Sequence, residues 1–261
     1  MCGIVGYIGP RDATPIILGG LKRLEYRGYD SAGVAVLQNG NIEVRREAGK
    51  LSRLTELVGK SPISGHIGIG HTRWATHGAP NQQNAHPHIG HTGKVVVVHN
   101  GIVENFLELR DELSSEGVDF ASDTDTETIV HLVEHYLASG LNLVEAARAT
   151  FKQIKGANVI VLMSADEPDK IVTARIGNAG GVVIGFGEDE MFAASDIPAI
   201  LEHTREVVFL ESHQMAIISR SGADFQTLNG DKLSIRPQTI AWDPVAAEKV
   251  NIAISCKKRS T

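Results

Sequence analysis

The chain has 261 residues, with 25 Lys and Arg against 31 Asp and Glu, a net charge of −6 with His neutral, and 42% apolar residues. That length and apolar content can fill a sizeable core, while the mild acidity and the absence of a basic block argue against a nucleic-acid or membrane-surface partner. Its apolar runs are strand-sized, far short of the roughly 20 residues that span a bilayer, and two cysteines, Cys2 and Cys256, exclude a disulfide framework.

The first residues, MCGIVGYIGPRD, carry no basic stretch ahead of a long apolar segment, so no secretory signal is read and a cytoplasmic location is expected. In chain order the pattern predicts a strand at 4–8, a helix at 13–26, strands at 33–37 and 42–45, a helix at 52–59 and a strand at 67–70. A strand at 95–99, helices at 103–116, 126–138 and 143–154, and strands at 159–163, 171–174, 182–186, 207–210 and 215–219 follow. Asn39-Gly40 between two apolar runs is a hairpin signal, because both turn residues tolerate positive φ. Part of the sheet is therefore expected to be antiparallel. Thr124 and Glu127 fit the T-x-x-E capping box, which predicts a helix start beside Asp123 and Asp125. No repeat or Pro/Ser linker interrupts residues 1–240, which read as one domain, and 241–261 reads as a polar, basic tail that frays at the surface.

Cys2 directly follows the initiator Met. Trimming of Met1 would leave Cys2 with a free α-amine, placing a thiol and a base on one residue. An α-amine titrates near about 7.7–8.0 and a thiol near about 8.5, so the amine can accept the thiol's proton without a histidine. A buried core cysteine is the other reading of the same position. Arg73, in Gly70-His71-Thr72-Arg73-Trp74-Ala75-Thr76-His77-Gly78, offers a guanidinium that can grip a carboxylate bidentately, or a structural Arg–aromatic stack. Asn100-Gly101 at a strand end offers an amide and a flexible backbone N–H: a candidate oxyanion hole, or a plain turn. Asp123, Asp125 and Glu127 lack the glycine of a calcium loop; one of these acids is free to meet an ammonium group while another caps the helix. Seven histidines lie within 34 residues, from His66 to His99, and no Cys or carboxylate is interleaved among them. That segment is not read as a metal site, and no cofactor is expected. Gly3, Gly6 and Gly9 lack the G-x-G turn of a nucleotide loop.

Six motifs occur in order: Cys2-Gly3-Ile4-Val5-Gly6, EYRGYDSAG at 25–33, HTRWATHG at 71–78, NAHPH at 84–88, HNGIVEN at 99–105 and TDTE at 124–127. Together these residues resemble the N-terminal glutaminase domains of the glutamine-fructose-6-phosphate aminotransferases (isomerising), or glucosamine-6-phosphate synthases. The resemblance covers about residues 1–240. It implies an α+β N-terminal nucleophile (Ntn) hydrolase fold, a four-layer αββα sandwich with two antiparallel sheets. It also implies hydrolysis of L-glutamine to glutamate and ammonia through a thioester on Cys2. By motif match, the Asn100 side chain and the Gly101 N–H would hold the oxyanion, Arg73 the glutamine α-carboxylate and Asp125 the α-ammonium. Thr76 and His77 would line the same pocket, Trp74 would sit where ammonia leaves, and Arg27 would support the site from behind.

Residues 175–181 depart from the family pattern, so no site residue is carried across them. The family's sugar-isomerase domains are not recognised in this chain, and a separate synthase domain or chain is the expected partner. Glutamine hydrolysis without sugar amination, by a monomer, is the expectation. The competing readings are the glutaminase of another class II amidotransferase, a catalytically silent glutamine-binding module and, third, a metal-dependent hydrolase.

Overall fold

The computed structural model describes residues 2–74 and 78–241. The expectations for Thr76, His77 and nearly all of the tail lie outside those residues. The elements are β1 (Gly3–Ile8), α1 (Ala13–Arg23), β2 (Ser31–Gln38), β3 (Asn41–Ala48), α2 (Leu51–Lys60), β4 (Ile67–Arg73), β5 (His88–Ile89) and β6 (Val95–Gly101). There follow α3 (Phe106–Ser115), α4 (Thr126–Ala138), α5 (Leu143–Gln153), β7 (Asn158–Ser164), β8 (Lys170–Ile176), β9 (Val183–Phe186) and β10 (Met191–Ala194). The remaining strands are β11 (Glu206–Phe209), β12 (Gln214–Ser219), β13 (Gly222–Thr227), β14 (Lys232–Leu233) and β15 (Gln238–Thr239).

Two sheets form, in the orders β15-β11-β9-β10-β1-β4-β2-β3 and β14-β13-β12-β8-β7-β6-β5, and every pairing in them is antiparallel. The two-residue side-chain period explains why the strands read as nearly unbroken apolar runs. In β1, Ile4 and Ile8 face the opposite sheet and meet Val96, Val98, Val159, Val161 and Met163. Val5 and Tyr7 of the same strand face outward onto Ile17 and Leu21 of α1 and join a cluster with Leu54 of α2. On the far side, Val95 and Val97 pack among Leu109, Ile129, Val133 and Phe151 from α3, α4 and α5. The result is the expected αββα sandwich. Each fully buried Ile or Val contributes about 1.5–3 kcal/mol of transfer energy, and truncating one such as Ile69 to Ala costs roughly 2–5 kcal/mol because the sandwich cannot collapse onto the void.

The hairpin signal holds: β2 and β3 pair through Gln38 and Asn41, with Asn39 at φ 53° and Gly40 at φ 80°. The capping box does not. Helix α4 begins at Thr126 after Asp125, which is itself in helical conformation and makes no side-chain cap bond. The Glu127 carboxylate instead reaches past the helix start, accepting from the Ala121 N–H at 2.8 Å and the Ser122 N–H at 2.7 Å. Thr124 Oγ1 is engaged with Ser122 Oγ and His88 Nε2, both at 3.0 Å. Buried neighbours from another strand outcompeted the local cap. Helix α1 is also shorter than expected, ending at Arg23 before a single 3-10 turn over Glu25–Arg27.

Candidate active site

Antiparallel register brings distant motifs together. In the pairing of β1 with β4, Gly3 lies opposite Thr72, so Cys2 falls beside Arg73 and Trp74. Close approach needs the glycine: a Cβ on Gly3 would sit 2.6 Å from Thr72 Oγ1 and 2.8 Å from Leu24 Cβ. In the facing sheet, β6 ends with Asn100 and Gly101 at the same edge of the sandwich, opposite Val159 and Asn158 of β7. Gly101 has φ 148°, and a Cβ there would run into the Ala157 carbonyl oxygen. Only glycine takes that backbone comfortably.

A cleft of about 400 Å³ opens at this edge, lined by Cys2, Arg27, Trp74, Asn100 and Gly101 together with Ile102, Glu104, Ala157, Ala179 and Gly180. The Trp74 N–H donates to Cys2 Sγ at 3.2 Å. Burial pushes the Cys2 thiol pKa up, while the Trp74 amide and the positive charges of Arg73 and Arg27 pull it back. The Cys2 carbonyl accepts twice, from Asn100 Nδ2 at 3.2 Å and from Arg27 Nε at 3.1 Å. Arg27 is anchored in turn by Asp196, with Nη1 2.8 Å from Oδ2, and Asp196 also accepts from the Tyr26 hydroxyl at 2.7 Å. The backbone of Cys2 is thus held from two sides.

The orientation of the Asn100 amide has a cause. His71 Nε2 faces two acceptors, Asn100 Oδ1 at 3.0 Å and the His99 carbonyl at 3.1 Å. Burial pushes His71 down to about 3, so the ring is neutral and the proton sits on Nε2. Donation to Oδ1 leaves Nδ2 pointing at Cys2. His99 is fixed by Thr126 Oγ1 on Nδ1 and Asn158 Oδ1 on Nε2, each at 2.9 Å, and His86 shares the same Thr126 hydroxyl at 2.9 Å. His86 stacks on His71 with ring centroids 4.2 Å apart. Burial holds His71, His86, His88 and His99 below the usual imidazole range. These histidines form a neutral polar core behind the cleft, where they serve as hydrogen-bonding and stacking elements.

Arg73 and Asp125 are 4% and 6% exposed and do not line the cleft itself. Burial lowers the pKa of Arg73, and the neighbouring acidic groups Cys2, Asp125 and Asp30 oppose that. A cation and an anion therefore lie within electrostatic reach of each other beside the thiol. Asp125 Oδ2 accepts from the Val103 N–H at 2.8 Å, which fixes the carboxylate at the start of α4. Such a pair can meet the two charges of an amino acid, and the cleft can take its side chain toward Cys2 Sγ.

Of the residues expected from the sequence, Cys2, Trp74, Asn100, Gly101 and Arg27 converge on the cleft, and Arg73 and Asp125 lie buried beside it. Sequence reasoning passed over His71, which sits inside a quoted motif but showed no sign of its partner in the other sheet. It also left out Asp196, and Ala179 and Gly180, which border the cleft from the very loop set aside for departing from the family pattern. Arg175 fixes that loop by donating from Nε and Nη2 to the Ala179 carbonyl at 3.3 and 3.1 Å.

Comparison with known proteins bears on all of this. Residues 71–202 match the family model described as a glutamine amidotransferase domain. The chain is 50% identical over 249 residues to a glutamine–fructose-6-phosphate aminotransferase (isomerizing) of Caldanaerobacter subterraneus subsp. tengcongensis, covering 95% of this chain and 40% of the relative. A protein of the same name from Pyrococcus horikoshii is 51% identical over 250 residues, covering 95% of this chain and 42% of the relative. The chain thus spans about two-fifths of the length of the curated relatives it matches. Among solved structures, the glutamine phosphoribosylpyrophosphate amidotransferase of B. subtilis, complexed with ADP and GMP, superposes with a TM-score of 0.76 at 24% identity. That match covers 87% of this chain and 49% of the other, and at such identity it speaks for the fold alone. The α+β sandwich and the resemblance read from the six motifs are borne out together. The chain belongs to the glutamine amidotransferase domain family.

Proposed function

We propose that the chain hydrolyses L-glutamine to glutamate and ammonia, with Cys2 as nucleophile, and that it is the ammonia-supplying half of glucosamine 6-phosphate synthesis from fructose 6-phosphate. The observation that carries this is the convergence of Cys2, Asn100 and Gly101 on one cleft, with the buried Arg73 and Asp125 within electrostatic reach of each other. Removal of Met1 frees the Cys2 α-amine. That amine takes the thiol proton as Sγ attacks the side-chain amide carbon, and Asn100 Nδ2 and the Gly101 N–H stabilise the resulting oxyanion. The amine then hands its proton to the departing nitrogen, ammonia leaves, and water hydrolyses the thioester. Arg73 takes the substrate α-carboxylate and Asp125 its α-ammonium, with Thr76 and His77 completing the pocket. Trp74 borders the route by which ammonia leaves toward a sugar-isomerase or synthase partner, and Arg27 positions the nucleophile through its carbonyl. No cofactor takes part in this reaction.

A free thiol at the reacting position suits a reducing compartment, which supports a cytoplasmic location. Among the described residues no helix is long and apolar enough to cross a membrane. Intact mass of the purified chain beside a glutamate-release assay tests the proposal. Loss of Met1 with glutamate formation, abolished by Cys2→Ala, supports it; a folded, processed chain that binds glutamine without turnover indicates a binding module instead.

A further inference from the structure

Away from the cleft, α4 presents His131 and Glu134 toward β5 and the turn at 90–93. Both side chains are 2% exposed. His131 Nε2 faces Glu127 Oε1 at 3.4 Å, so whenever the imidazole is neutral the carboxylate acceptor places its one proton on this nitrogen. Nδ1 then holds a lone pair and points at Glu134 Oε2, 3.7 Å away. Nδ1 of His131 is buried without a hydrogen-bond partner. Thr92 occupies the other oxygen of Glu134 through its backbone N–H, at 3.2 Å, and its hydroxyl. From the solvent side, the half-exposed His91 brings Nδ1 to 2.6 Å from Glu134 Oε2. The three ligand atoms all lie within 4.8 Å of one another.

Two imidazole nitrogens and one carboxylate oxygen are a three-ligand set for tetrahedral zinc, with a fourth position left for water. Imidazole donors favour zinc-like ions over magnesium or calcium. Glu127, bonded to the far nitrogen of His131, would fix ring tautomer and orientation in the manner of carboxylate–histidine–metal units. We propose that His91, His131 and Glu134 bind one divalent transition ion of the zinc type, clipping the turn at 90–93 to α4. Ligand atoms about 2.0–2.2 Å from zinc stand roughly 3.4 Å apart, so the 2.6 Å contact must open and the widest pair must close. His91, on an exposed turn, is the ligand free to make that adjustment. The sequence hid this group, because His91 stands alone in a histidine-rich segment while its partners come from a helix about 40 residues later.

The rival occupant is a proton, since an imidazolium at His131 between Glu127 and Glu134 would satisfy the same atoms. Calorimetric titration of the chelator-treated full chain with zinc chloride separates the two. Expected are one zinc per chain, a melting temperature that rises with zinc, and affinity at least about tenfold weaker in His91→Ala and in Glu134→Gln. His91 is exposed, so its truncation leaves the fold intact, and Cys2→Ala should bind zinc as the parent does. No uptake by the parent chain assigns the pocket to a proton and overturns the proposal. Uptake unchanged in His91→Ala, or lost in Cys2→Ala, overturns it equally.

Discussion

Replacing His71 with Phe keeps a ring to stack on His86 but removes the Nε2–H that orients Asn100. Two buried acceptors, Asn100 Oδ1 and the His99 carbonyl, then lose their donor, at a cost of about 1–3 kcal/mol in stability. The catalytic effect is separable from that. Without His71 the amide of Asn100 can turn over, and the two orientations differ by about one net hydrogen bond, roughly 0.5–1.5 kcal/mol. Deleting an oxyanion donor outright costs about 10²–10³ in kcat. The orientational preference leaves roughly a third to less than a tenth of the amide productively turned, so misorientation should cost about 3- to 15-fold in kcat, with KM changed less than about threefold, because Arg73 and Asp125 remain. Glutamate release by His71→Phe, Asn100→Ala and the double variant forms a cycle, with melting curves confirming that each is folded. If His71 acts through Asn100, the double variant is no slower than Asn100→Ala. Additive losses, or a folded His71→Phe with unchanged kcat, would refute the reasoning.

Three further outcomes are expected. Acidification should weaken the fold: burial lowers His71 and His88 to about 3 from 6.5, so the unfolded chain takes up protons first and stability falls as pH drops below 6.5. At about pH 5.5 the loss is about 1.4 kcal/mol per histidine, about 3 kcal/mol for the two, readable as a lower urea midpoint than at about pH 7.5. Gly101→Ala should cost about 1–3 kcal/mol in urea unfolding and most of the glutaminase activity, because a Cβ at φ 148° meets the Ala157 carbonyl. Arg27→Lys keeps the charge but not the fork that reaches both the Cys2 carbonyl and Asp196, so kcat should fall roughly tenfold with KM nearly constant in steady-state glutamate release.

Much of the architecture is legible because the sandwich buries both faces of its central strands, which makes 4–8, 95–99 and 159–163 stand out as apolar runs. The Asn39-Gly40 turn is equally plain, its signal being local. What escaped is what other segments decide. Strand β10 is only four residues long, and what makes it a strand is its pairing with β1 and β9 on either side and the burial of Met191 and Ala193 against the other sheet and of Phe192 and Ala194 toward the helices; β13 is too polar to show an alternating pattern. Thr124 looks like a cap until His88 arrives from another strand to occupy it. The site follows the same division. Cys2, Arg73, Asn100 and Asp125 could be named from chemistry and motif, whereas His71 gains its meaning only from a carbonyl and an amide in the opposite sheet, and Asp196 only from Arg27, 169 residues away in sequence.

A covalent intermediate is the most direct test of the nucleophile. Acid-quenched chain, sampled during glutamine turnover and digested, should show a glutamyl adduct on the N-terminal peptide beginning at Cys2, absent in Cys2→Ala and decaying to free peptide as glutamine is exhausted. Steady glutamate release with no adduct on Cys2, or release that survives Cys2→Ala, would contradict a thioester mechanism at this cleft.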